Sequence, residues 1–178
     1  MTNATNAAAF NRELAEFSAV TLAGEMQTFA REIALEALAR IVERTPVDEG
    51  IARGNWQTTI GAPSEDVLER DDPSGKASTA EGKATIKAWN LDQGSAFVSN
   101  NLPYIEVLEE GKFPNPPKRG SRIKDRDLPG RRRKRIKKSL DVSGVRYIVK
   151  SAGGFSLQAP LGMVGVTVNE LQDVTKRI

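Results

Sequence analysis

Between Lys112 and Lys150 the chain carries fifteen Lys or Arg against three acidic residues, Asp125, Asp127 and Asp141, a net of +12. The rest of the sequence holds eleven basic and twenty acidic side chains, a net of −9, so the overall +3 conceals two oppositely charged parts. Pro114, Pro116, Pro117, Gly120, Pro129 and Gly130 deny the first half of this excursion regular structure. Within it run Arg131, Arg132, Arg133, Lys134, Arg135, Ile136, Lys137 and Lys138, with a single apolar residue. Such a run repels itself and cannot bury; it stays solvated or meets anions. A compact core must therefore be assembled from the sequence on either side.

What remains is enough for one domain, the default at 178 residues. Apolar content is 39%, below the usual globular share, so part of the chain is expected to lie outside a packed core until a partner covers it. The chain has no cysteine and no histidine. Disulfides and thiolate metal sites are thereby removed, as are the usual general base and the commonest metal ligand. Serine-protease-like and zinc chemistry drop out, and no metal or cofactor is expected. No stretch approaches eighteen apolar residues, and Met1 to Ala9 lacks the basic start and apolar centre of a secretion signal. These features predict a soluble protein made in the cytoplasm.

In chain order, residues 1–9 are expected to be a flexible N-terminus. The spacing predicts a helix over Phe10 to Arg44, with a break or bend near Thr21 to Gly24. Its stripe, Phe10, Leu14, Phe17, then Met26, Phe29, Ile33, Ala37 and Ile41, is expected to pack on a sheet. The competing reading is that part of the helix contacts a neighbouring subunit. Thr45-Pro46 ends the helix, and Trp56, Thr58 and Ile60 alternate as a strand with one buried face. Gly61 to Lys76 reads as a solvated acidic loop; its acids lack the spacing of a calcium loop. Thr79 to Asn90 reads as a helix on Ala80, Ala84 and Ala88, and Ser95 to Ser99 as a strand. Pro103 and Gly111 bracket a short helix with Leu102, Ile105 and Leu108 on its apolar face and Glu106, Glu109 and Glu110 mostly off it. Val142 to Leu157 predicts a hairpin turning at Gly153-Gly154, and Val164, Val168, Leu171 and Val174 predict a final helix from about Gly162. Met26, Phe29, Ile33, Ile41, Trp56, Leu102, Ile105 and Leu108 are the expected core. The fold class is α+β: a long N-terminal amphipathic helix and shorter helices on a small antiparallel sheet, with a basic inserted arm.

Three separated segments carry a resemblance. Arg44-Thr45-Pro46-Val47-Asp48-Glu49-Gly50 with Ala52-Arg53-Gly54-Asn55-Trp56 is the first. Asn100-Asn101-Leu102-Pro103-Tyr104-Ile105 with Leu108-Glu109-Glu110-Gly111 is the second, and Gln158-Ala159-Pro160-Leu161-Gly162-Met163-Val164 the third. In this order they resemble the tail-completion or head–tail joining (neck) family of long-tailed phages. Glu49 stands where that pattern usually has threonine, and the family passes almost directly from the second segment to the third. The chain then divides into a family core at 10–111 and 158–178 and an insertion at 112–157, within a single domain 1–178.

The resemblance implies a structural virion protein of the neck or tail with no enzyme activity. It implies rings of this protein, commonly six-fold, around the DNA channel. The implied partners are adjacent neck, tail-terminator, head-closure or tail-tube proteins and the phage DNA in the channel, with no membrane. A rival reading is a non-specific nucleic-acid-binding module in which Arg131, Arg132, Arg133, Lys134, Arg135, Lys137 and Lys138 neutralise phosphates. Those seven residues are the candidate contacts with a partner or DNA in either case. A third reading, a metal-dependent nuclease, has only the adjacent acids Asp71-Asp72 and Glu109-Glu110 in its favour.

Overall fold

The computed structural model describes residues 3–113, 138–140, 146–148 and 151–176. One helical rod runs from Asn3 to Arg44: α1 (Asn3–Glu16), a π-helical stretch (Phe17–Leu22) and α2 (Ala23–Arg44). The helix thus begins at Asn3 rather than Phe10. The expected bend near Gly24 is instead a wider turn just before it, and the chain stays helical throughout. The rod ends where Thr45, ahead of Pro46, turns to an extended conformation. After α3 (Ile51–Gly54), β1 (Gln57–Ile60) pairs antiparallel with β2 (Ala96–Ser99), in register from Gln57 opposite Ser99 to Ile60 opposite Ala96. Between them α4 (Lys76–Ala88) packs on β1 and on α2. Beyond β2 come α5 (Ile105–Glu110), β3 (Lys138–Leu140), β4 (Arg146–Ile148), β5 (Ser151–Ala152), β6 (Phe155–Ser156) and α6 (Val164–Thr175). The described architecture is α+β.

The core gathers Leu38, Ile41 and Val42 of α2, Ala52, Trp56, Ile86 of α4, Leu102, Leu108 of α5, Ala159 and Met163. The buried face of α2 is the row Ala34, Leu38, Ile41 and Val42, about a third of a turn around from Met26, Phe29 and Ile33. That offset corrects the expected core: Met26 is 56% and Phe29 42% exposed, and Ile33 is half-buried. Ile105 is also half-buried, packed against the core rather than inside it. Every residue from Asn6 to Met26 is exposed, so α1 and the π-helical stretch do not pack on the sheet. Contact with the body starts at Gln27 and Arg31. Gln27 Nε2 donates to the Trp89 carbonyl at 3.0 Å, and Arg31 Nε does so at 2.7 Å, occupying an end carbonyl of α4.

The inward face of α4 is Ser78, Gly82 and Ile86, whereas Ala80, Ala84 and Ala88 face outward. A Cβ on Gly82 would come within 2.6 Å of Thr58 Oγ1, so bare backbone there lets the helix close on β1. In α6 the buried residues are Thr167 and Leu171, and Val168 and Val174 are turned to the surface. The expected hairpin over Val142 to Leu157 divides in two. β4 pairs backward with β3, Ser139 opposite Tyr147, while β5 and β6 pair across Gly153-Gly154. The β5–β6 hairpin sits against α5, and Phe113 N donates to the Gly154 carbonyl at 3.0 Å. Phe113, the last described residue before position 138, is thus hydrogen-bonded to the turn of the β5–β6 hairpin. Among the described residues no helix is long and apolar enough to cross a membrane.

Candidate functional site

The three segments singled out in the sequence meet in one junction, which begins at the end of α2. The helix leaves carbonyl groups without intrahelical partners, and the first segment supplies them. Thr45 Oγ1 donates to the Ile41 carbonyl at 2.7 Å and accepts from the indole N–H of Trp56 at 2.7 Å, all of it buried. Arg53 Nη2 donates to the carbonyls of Glu43 (2.9 Å) and Thr45 (2.8 Å), and its Nη1 to that of Pro73 (3.0 Å). Burial presses the Arg53 guanidinium below its ordinary pKa, against the opposing pull of Asp72 and Glu43. Asn55, fully buried, donates to the Ile51 carbonyl at 2.8 Å and accepts from Leu68 N at 2.6 Å, fastening the acidic loop to α3.

The second segment reaches the first through Asn100, whose Nδ2 donates to the Ala52 carbonyl at 2.8 Å. Asn101 Nδ2 donates to the carbonyls of Ser64 (2.6 Å) and Asp66 (3.1 Å). The short helix α5 ends at Gly111, which is left-handed at φ +68°; a side chain there would also run into the Phe155 ring. From α5 the Glu109 carboxylate crosses to the third segment. Its Oε2 accepts from Met163 N (2.8 Å) and Val164 N (2.9 Å), and its Oε1 from Gly165 N (2.8 Å). An anion thus sits on the free N–H groups at the start of α6, where the helix dipole also favours it. Gln158 closes the triangle onto the first segment: its Nε2 donates to the Val47 carbonyl at 2.8 Å, and its Oε1 accepts from Val47 N at 3.0 Å.

A second tie joins α6 to the long helix. Arg44 donates to both Glu170 oxygens (2.8 and 2.7 Å) and to Thr167 Oγ1 (2.7 Å), and Arg40 Nη1 to Glu170 Oε2 (2.6 Å). The hydrogen bond from Arg44 holds the Glu170 carboxyl below its usual range, assisted by Arg40 and opposed by partial desolvation.

The acids of the loop take separate roles. Asp71 is exposed, whereas Asp72 is buried at the start of α4. Asp72 Oδ1 accepts from Ser74 Oγ (2.9 Å) and Lys76 N (3.2 Å), and Oδ2 from Ala77 N (2.8 Å) and Ser78 N (3.1 Å). Burial alone would raise this carboxyl, but the hydrogen bonds from Ser78, Ser74, Ala77 and Lys76 outweigh it and the pKa is lowered. Asp72 therefore breaks the expectation of a wholly solvated loop, and its capping explains why α4 starts at Lys76 rather than Thr79. The acid pairs named for a nuclease are occupied in a similar way: Glu109 caps α6, and Glu110 pairs with Lys112 at 2.6 Å. Among the described residues no group of three or more Asp or Glu is placed to hold a metal ion.

The candidate partner contacts Arg131, Arg132, Arg133, Lys134, Arg135 and Lys137 lie outside the described residues; Lys138 begins β3. Sequence reading named Asp72 and Glu109 only as members of acid pairs and missed that each caps a helix. The signal for Asp72 was local, an Asp just ahead of a helix beside Pro73 and Ser74. Glu109 gave none, since its partners lie more than fifty positions away. Comparison of the chain with protein-family models, curated proteins and solved structures finds no match.

Proposed function

We propose that this chain is a structural subunit of the neck of a long-tailed phage, forming a ring that completes the tail and joins it to the head around the DNA channel. The observation that carries the reading is the junction. The three short segments that resemble the neck family, far apart in sequence, hydrogen-bond to one another through Asn100, Glu109 and Gln158. Residues held for such a purpose define a scaffold, and in this reading the protein has no enzyme activity and takes no cofactor. A ring needs head-to-tail contacts that close on rotation. The charge split supplies them: the +12 excursion of one copy lies on the −9 remainder of the next. Such contacts orient and select partners more than they stabilise, because exposed ion pairs are individually weak. The ring is six-fold, with neighbouring neck, tail-terminator, head-closure or tail-tube proteins above and below.

Electron microscopy of the purified protein and of tails assembled with it tests the reading; a closed ring at the head-proximal end of the tail is expected. Replacing residues 114–150 by a short glycine linker should leave the protomer folded and block head–tail joining. Infectious particles at normal yield from that variant would refute an assembly role for the excursion. The basic run also favours a second reading, non-specific DNA binding by Arg131 to Lys138. Binding to random DNA that survives physiological salt and falls steeply with further salt would support it. An assembly protein should bind such DNA weakly.

A further inference from the structure

Among the described residues, nothing covers the outer half of the helical rod. Phe10, Leu14 and Phe17 stand four and three apart from α1 into the first π-helical position, and Leu22, Met26 and Phe29 repeat that spacing from the last π-helical position into α2. In an unbroken α-helix the five-residue step from Phe17 to Leu22 would leave the two sets, twelve residues out of step, about 120° apart. The π-helical stretch spans that step, Phe17 to Leu22, and its wider i→i+5 turn draws the sets toward one face. The local irregularity therefore serves a continuous stripe about 28 Å long. Further along, the same side of α2 already has a helical partner: Arg40 and Arg44 hold Glu170 of α6 against it. Outward from Phe29 nothing among the described residues covers it.

We propose that this stripe, Phe10 to Phe29, packs against the same stripe of a second copy of the chain. The inference rests on the reading of the protein as a self-assembling subunit; the contact joins identical faces, so it pairs two copies and adds to the head-to-tail contacts that close the ring. Spacing of four and three is that of helices meshing side by side, and the second copy brings a matching stripe with the same need for cover. The basic run cannot serve, because its one apolar residue has nothing to lay on Phe10, Phe17 and Phe29. Phe10 is 62% exposed, and Leu14, Phe17, Val20, Leu22, Met26 and Phe29 are comparably open. At about 100 Å2 each, the six side chains of the stripe offer about 600 Å2 per copy, so a pair buries about 1,200 Å2, at the lower end of specific interfaces.

The test uses the full-length protein. Its mass by light scattering and sedimentation is compared with that of Leu14→Asp/Phe17→Asp, whose changes lie outside the packed body. The wild type should be oligomeric, and the double variant should lose that oligomer while keeping its melting temperature. Because the chain has no cysteine, single substitutions report the contact directly and stand even if the double variant misfolds. Phe17→Cys should form an interchain disulfide under mild oxidation. Arg12→Cys, about 160° around the helix from Leu14, should not. An oligomer that persists in the double variant, or equal cross-linking from both cysteines, overturns helix pairing and leaves the ring reading standing. A wild type that stays monomeric in solution and forms no ring under the microscope overturns both.

Discussion

Removing the Glu109 carboxylate should loosen the body at its most economical joint. Three backbone N–H groups at the start of α6 depend on it, at 2.8, 2.9 and 2.8 Å. They are not equivalent, because Met163 is fully buried, Val164 half-buried and Gly165 exposed. Water can replace the bond to Gly165 and partly that to Val164, but not the one to Met163. A hydrogen bond to a charged group contributes about 1.5–3 kcal/mol, with the full desolvation penalty felt where water cannot follow. Counting about 2 kcal/mol for Met163 and about 1 kcal/mol for the other two together, Glu109→Ala should cost about 3 kcal/mol. In a domain of this size that lowers the melting temperature by about 6–12 °C. Glu109→Gln keeps one acceptor oxygen without the charge and should lose about half as much. Glu106→Ala, on the exposed side of the same helix, should change little. Urea unfolding of the four proteins checks the series. A Glu109→Ala midpoint within error of the wild type would refute the claim that this carboxylate joins α5 to α6.

Asp72 predicts a pH dependence. Its folded pKa is lowered from 3.8, so its contribution is fully present above that value and is lost as pH falls through the folded value. Asp72→Asn should therefore be less stable than the wild type at neutral pH, with the gap in urea midpoints closing under acid; a gap constant with pH would contradict the capping role. Trp56→Phe removes the indole donor from Thr45 and leaves a small void, an expected loss of about 2–3 kcal/mol. In a double-mutant cycle with Thr45→Val, a coupling of about 1 kcal/mol should appear, and additive losses would deny the bond. Leu38→Ala should cost about 3 kcal/mol because the side chain is 0% exposed, while half-buried Ile33→Ala should cost about 1 kcal/mol; equal losses in thermal melts would restore the core expected from the stripe.

Local punctuation was legible in the sequence because its causes are local. Thr45-Pro46 stops α2, Gly111 caps α5, and the alternation around Thr58 marks β1. The stripe of the first helix misled for a physical reason. Periodicity reports that a face wants cover, and it says nothing about who provides it. Phe29 and Leu38 look alike in sequence, yet only Leu38 turns toward the body. In α4 the alanine spacing marked the helix but not its inner face, where Gly82 sits instead, since close approach favours the smallest group. The junction was visible only as a resemblance between short segments. Which atoms bind which could not be read, because Glu109 and Gln158 act on backbone that the fold alone brings near.

The hydrogen bond between Phe113 and Gly154 has a consequence for what the chain can carry. Forty residues separate the two, yet the body meets them as if they were adjacent in a turn. For a flexible segment, doubling its length adds only about 0.6 kcal/mol of closure cost. The two ends thus form a socket, and a flexible segment joined to them would cost the body little in closure entropy whatever its length. A reporter domain seated on flexible linkers between Phe113 and β5 should on these terms leave the melting temperature of the body nearly unchanged.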